Sequence, residues 1–287
     1  MRPSKQWYRR LAQRGALRDA RWGVVHLRHY SGEFAVVGDG PPLVLVPGLA
    51  GGFELMGPLV RVLARQFRVV CFPLRGEHET MPAGRANSLA DLADDLADFH
   101  DALLLERPAH IGLSFGAAVL AEFAIRRPRS LGPIVFNGLA GRFRGSLMNR
   151  VVRVALEQFP LPGDSPLLNQ FLRMLFAPGE PVGSLLDLVA AQLWNTDQGV
   201  IAHRYSLLQG FDLRGRLREI LSPTLVVAGA DDAIVRSAAQ RSVARSIPDC
   251  RFVSVARTGH LCFLTRPRAF ARHVTNFLGR VQSLAAA

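Results

Sequence analysis

With 287 residues, 49% of them hydrophobic and 20% charged, the chain has a globular composition and sits near the upper size for one hydrophobic core, roughly 250–300 residues. Three cysteines (Cys71, Cys250, Cys262) are too few for a disulfide framework, and the charge-free run 109–121 is glycine-broken and shorter than the ~20 apolar residues of a bilayer span. Fibrous, disordered, disulfide-rich secreted and membrane-spanning readings are excluded. No apolar h-region follows the basic N-terminus, so a reducing, cytoplasmic location is the expectation.

Residues 1–30 carry eight basic side chains against Asp19 alone, and so hold most of the net charge of +12. The body of the chain is only mildly basic, which argues against nucleic acid as a partner. Trp7, Tyr8, Leu11 and Leu17 lie among these arginines, and residues 1–22 read as a separate basic segment. An arginine-favouring composition explains it most simply; weak association with an anionic membrane surface is the sharper expectation. Lys5 is the sole lysine, which removes P-loop, kinase and pyridoxal chemistry. No Gly-x-Gly-x-x-Gly opens a helix, and His26-x-x-His29 has no further ligand at metal spacing. No cofactor and no metal are expected.

Short apolar strands then alternate with amphipathic helices. Gly23–Tyr30 and Phe34–Val37 read as a hairpin, followed by strands at Leu43–Val46, Arg68–Pro73, His110–Leu113, Pro133–Phe136, Thr224–Ala228 and Arg251–Val255. The later runs are continuously apolar, as in a parallel sheet buried on both faces. Ser88 with Asp91 caps a helix whose stripe is Leu89, Leu92, Leu96, Phe99 and Leu103. Pro267 opens the last helix, with Phe270, Val274, Phe277 and Val281 on one face. Residues 138–218 interrupt the alternation with helical, Pro- and Gly-containing sequence. There Leu168, Phe171, Leu172 and Leu175 suggest one helix face and 185–194 another. The expected organisation is a core of 23–137 and 219–287 with 138–218 inserted as a helical cap.

The chemistry concentrates where strands end. Strand 110–113 runs into Gly112-Leu-Ser114-Phe-Gly116 and at once into a helix. Gly-x-Ser-x-Gly in that setting is a nucleophile elbow: a strained turn lifts the serine above the sheet at a helix N-terminus, and the glycines let strand and helix backbones approach. A serine needs a base, and the base an orienting acid. Gly229-Ala-Asp231-Asp232 follows one late strand and Thr258-Gly259-His260 the next, in the chain order Ser, Asp, His.

Together with Val46-Pro-Gly-Leu-Ala-Gly-Gly52, Arg75-Gly76 and Pro267, these segments resemble the α/β-hydrolase fold over residues 24 to 280. The resemblance implies a mostly parallel central sheet flanked by helices, with an inserted helical cap. It implies Ser114 as nucleophile, His260 as general base, Asp232 as its orienter, and the amides of Leu49 and Phe115 as an oxyanion hole. The chain departs from the family pattern at Pro47, where His is usual, and at Leu74, where Asp is usual. Glu77-His78-Glu79 also replaces a common Gly-x-Ser. Serine rather than aspartate at the elbow argues for hydrolysis of a small carboxylic ester with an apolar part, through an acyl-enzyme. Acyl transfer, lactone cleavage and carbon–carbon hydrolysis use the same residues, and a non-catalytic binding protein of this fold is the contrasting class. Phe159, Phe171, Phe176 and Trp194 are the expected apolar lining of the substrate pocket.

Overall fold

The computed structural model describes residues 17, 19–76, 85–143 and 166–286. Eight strands form one sheet: Arg21–His26 (β1), Ser31–Val37 (β2), Pro42–Val46 (β3), Arg68–Cys71 (β4), Ala109–Leu113 (β5), Ile134–Asn137 (β6), Thr224–Gly229 (β7) and Cys250–Val255 (β8). Their order is β1-β2-β4-β3-β5-β6-β7-β8. β1 and β2 pair antiparallel, as do β2 and β4, and every later pair is parallel.

The burial of the central strands explains their composition. Leu43, Val44, Leu45 and Val46 are all fully buried, and because side chains alternate across a strand, Val44 and Val46 enter one core while Leu43 and Leu45 enter the other. The first core is closed by the helices Leu89–Ala102 (α2) and Phe115–Arg126 (α3), the second by Gly57–Leu63 (α1) and Pro267–Ala286 (α9). The Ser88 hydroxyl accepts the Asp91 N–H at 3.2 Å, and the Asp91 carboxylate reaches back to the Asn87 N–H at 2.6 Å. That reciprocal cap starts α2 where the sequence places it. Leu89, Leu92, Leu96 and Phe99 are buried, whereas Leu103 lies just beyond the helix.

The first strand is shorter at its end than the sequence suggests. β1 stops at His26, and Tyr30 turns inward, its hydroxyl donating to the Pro73 carbonyl at 2.6 Å. Packing also begins upstream of residue 23: Leu17 is buried in the second core. The rest of the basic segment up to residue 16 lies outside the described residues.

Between β6 and β7 the chain leaves the sheet. The described part of this stretch contains Pro166–Met174 (α4), Ser184–Asn195 (α5), Gln198–Leu207 (α6) and a 3₁₀ turn at Leu217–Glu219. Leu172 and Leu175 are buried as expected. After β7, Ser237–Ser246 (α7) leads to β8, and the short helix Cys262–Thr265 (α8) precedes α9. No helix among the described residues is long and apolar enough to cross a membrane.

Candidate active site

The turn after β5 is shaped by what its glycines omit. A Cβ at Gly112 would stand 2.7 Å from the Ala117 Cα, and one at Gly116 would stand 2.3 Å from the Pro47 carbonyl oxygen. Only hydrogen at both positions lets β5, α3 and the end of β3 meet. Ser114 between them has φ +53° and ψ −113°, a strained backbone that costs a non-glycine residue about 1–3 kcal/mol. Its N–H donates to the Asn137 carbonyl at 2.7 Å. Asn137, fully buried at the end of β6, in turn donates to the Val227 carbonyl at 2.9 Å. Three neighbouring strand ends are thus tied together beneath the serine.

The loops after β7 and β8 bring a carboxylate and an imidazole to that serine. His260 Nε2 lies 2.8 Å from Ser114 Oγ, and His260 Nδ1 lies 2.9 Å from Asp232 Oδ2. His260 and Asp232 are both 3% exposed. The other Asp232 oxygen accepts the N–H groups of Ile234 and Val235, each at 2.9 Å. Asp231 is exposed, only its backbone N–H being engaged, by the Thr258 carbonyl at 3.0 Å. Gly229 and Gly259 make the juxtaposition sterically feasible. A Cβ on Gly229 would stand 2.0 Å from the Gly259 oxygen, and one on Gly259 would stand 2.5 Å from the Phe176 backbone.

Two side chains that sequence reasoning passed over support this geometry. Gln240, fully buried on α7, donates to Asp232 Oδ2 at 3.0 Å and to the Val235 carbonyl at 2.8 Å. Its oxygen accepts the Gly138 N–H at 2.9 Å. Gly138 lies against the imidazole, since a Cβ there would stand 2.7 Å from His260 Cε1. One amide therefore holds the acid and a wall of the histidine. The spacing of Gln240 from buried Val243 and Ala244 was the available signal for its burial. Glu180, from the inserted segment, accepts the N–H groups of Ala177 at 2.9 Å and Gly259 at 3.3 Å, tying that segment to the histidine loop.

The loop after β3 passes directly beside the serine: a Cβ on Gly48 would stand 3.7 Å from Ser114 Cβ. The Gly51 N–H donates to the Gly48 carbonyl at 2.9 Å, closing a tight turn around Leu49. Phe115, the first residue of α3, is buried with its amide at the helix N-terminus, an orientation that favours developing negative charge. Of the aromatics expected to line a pocket, Phe176 lies against the histidine loop. Phe171 and Trp194 are each 40% exposed on the inserted helices, and Phe159 and His78 fall outside the described residues. Phe171 sits about 100° around α4 from buried Leu172, which turns it away from the packed line. At the departures from the family pattern, Leu74 is fully buried and Arg75 pairs with buried Asp95, Nε to Oδ2 at 2.9 Å. Burial pushes the Asp95 carboxyl up more than the guanidinium draws it down. His26 hydrogen-bonds Ser31 at 2.8 Å.

The sheet order, the elbow and the loops above it define a hydrolase scaffold of the α/β class. A profile of the alpha/beta hydrolase fold matches residues 41–267, and the chain belongs to that family. It is 29% identical over 252 residues to a polyketide synthase, ThaQ, of Burkholderia thailandensis; the match takes in 84% of this chain and 12% of that much longer protein. It is 26% identical over 254 residues to a protein of Azorhizobium caulinodans named as the carbamate hydrolase RutD, covering 86% of this chain and 95% of that one. Among solved structures it resembles a hydrolase from Pseudomonas aeruginosa, with 25% identity, a TM-score of 0.83, and coverage of 90% and 98% of the two chains. By family and relatives the chain is a hydrolase.

Proposed function

We propose that the protein cleaves small carboxylic esters through an acyl-enzyme formed on Ser114. The observation that carries this reading is the unbroken hydrogen-bond line from Ser114 Oγ through the His260 ring to Asp232. His260 takes the serine proton as Oγ attacks the acyl carbon, then returns it to the leaving alkoxide. Asp232 holds Nδ1 protonated, so that Nε2 is the free base, and stabilises the imidazolium that forms. The amides of Leu49 and Phe115 receive the oxyanion, and such donors are worth roughly 3–4 kcal/mol each in the transition state. Water activated by the same imidazole releases the acid. An acyl-enzyme also serves lactones, acyl transfer to another alcohol, and carbamates, the class named for the Azorhizobium relative.

The test is a series of p-nitrophenyl esters of increasing acyl length, with labelling by a fluorophosphonate. Wild-type protein should turn over the short to medium esters and be labelled once, on Ser114. Ser114→Ala should lose both, with turnover reduced by several powers of ten. Turnover at the wild-type rate in Ser114→Ala would remove the nucleophile assignment. Labelling without hydrolysis of any ester, lactone or carbamate would favour a transferase.

A further inference from the structure

We propose that Arg204, Thr196 and Gln192, three side chains of the inserted segment, are positioning residues for the oxyanion-binding turn. On this proposal, which rests on the serine-hydrolase reading above, seating of the cap and assembly of the oxyanion hole are one event. The turn from Gly48 to Gly51 is closed at its ends by its own hydrogen bond. Its middle is held by the cap. Arg204 Nη1 donates to the Leu49 carbonyl at 3.0 Å. The Thr196 hydroxyl and, at 3.3 Å, Gln192 Nε2 both donate to the Ala50 carbonyl. All three side chains are buried: Arg204 is 2% exposed, Gln192 and Thr196 6% each. The turn backbone also presses on the cap directly, since a Cβ on Gly52, at φ +73°, would stand 2.2 Å from Gln192 Nε2.

The peptide joining Leu49 to Ala50 is the central one of a four-residue turn, and its rotation is what interconverts turn types. Arg204 pins the carbonyl of that peptide and thereby the backbone angle on the C-terminal side of Leu49. The Leu49 N–H is fixed from the other side, because the peptide plane it shares with the Gly48 carbonyl is held by Gly51. Arg204 Nη2 also donates to the carbonyls of Arg75 at 3.0 Å and Leu74 at 3.4 Å, after β4. One planar guanidinium therefore gathers two sheet-edge loops, a task suited to its fixed fork of donors. A cap that lifts withdraws these donors together, and the turn beside Ser114 loses the contacts that hold its shape.

A donor displaced from the oxyanion is felt in the transition state, not in ground-state binding. The measurement is the rate of Ser114 phosphonylation by a fluorophosphonate, paired with kcat, KM and the inhibition constant of a trifluoromethyl ketone. Thr196→Val keeps the side-chain volume and removes the hydroxyl, while Thr196→Ser retains it. Thr196→Val and Arg204→Met should slow phosphonylation and kcat about 10-fold or more and weaken the ketone by a similar factor, with KM within about 3-fold. Thr196→Ser should stay within about 2-fold of wild type, and Arg204→Lys should fall between wild type and Met. If folded Thr196→Val reacts at the wild-type rate, the proposal fails, whatever its melting temperature. If wild-type protein itself is not phosphonylated, the serine-hydrolase reading falls and takes this one with it.

Discussion

At the scale of single residues, the two adjacent carboxylates after β7 separate by burial. Asp232 accepts four hydrogen bonds, from Ile234, Val235, Gln240 and His260, while Asp231 faces solvent. An asparagine at 232 would turn an N–H₂ toward two donors, His260 Nδ1–H and Gln240 Nε2, or force both to rearrange. Asp232→Asn should cut kcat by a factor on the order of 10⁴, as loss of the orienting acid does in the best-studied triad. Asp231→Asn should stay within a few-fold, and comparable mild effects from both would show that the acid lies elsewhere. Gln240→Leu tests the support behind the acid. A hydrogen bond to a charged group is worth roughly 1.5–3 kcal/mol, so kcat should fall about 10- to 100-fold while KM changes little. An unchanged kcat would reduce Gln240 to a packing residue.

At the scale of elements, what could be read from sequence divides by the kind of group involved. The meeting of Ser114, Asp232 and His260 was legible because glycines permitting close backbone approach mark their loops, and because each loop follows a recognisable apolar strand. Ser88 and the stripe of α2 were legible for a similar reason: cap and periodicity are local. Arg204, Thr196 and Gln192 were not, since their partners are backbone carbonyls and every residue carries one. No side-chain pattern announces such a contact. The exposure of Phe171 and Trp194 was also hidden, because helical spacing gives a face but not what lies against it.

One element contact has a pH consequence. His100, near the end of α2, and His110, on β5, are buried with their Nε2 atoms 2.8 Å apart. Burial lowers His100 to about 4 and His110 well below its ordinary value. The unfolded chain therefore takes up protons near pH 6.5 that the folded chain refuses, and stability present above that pH is lost as pH falls toward 4. Each proton contributes a slope of up to about 1.4 kcal/mol per pH unit. Melting temperature should drop between pH 6.5 and 4.5, and the drop should be shallower in His100→Leu/His110→Leu. An equal drop in the double variant would assign the acid sensitivity to other groups.

At the scale of the whole molecule, the sheet separates two cores, and the second reaches further toward the N-terminus than the strands do. Leu17 packs in it at 2% exposure. Leu17→Ala should lower unfolding free energy by about 2–4 kcal/mol, the usual range for a buried leucine. A change below about 0.5 kcal/mol in chemical denaturation would mean that this residue adds little to the core.

The pairing of β6 with β7 spans a long insertion: Ile134 is opposite Thr224, and Val135 opposite Leu225. The first half of the chain, through β6, is synthesised before β7 and β8, at about 5–20 residues per second. Ser114 belongs to that early half, whereas the carboxylate and imidazole that address it arrive with residues 232 and 260. At those rates a nascent chain carries Ser114 for roughly 7–30 s before residue 260 is added. On the triad proposed above, the serine gains its base only once the loop after the last strand of the sheet has been made.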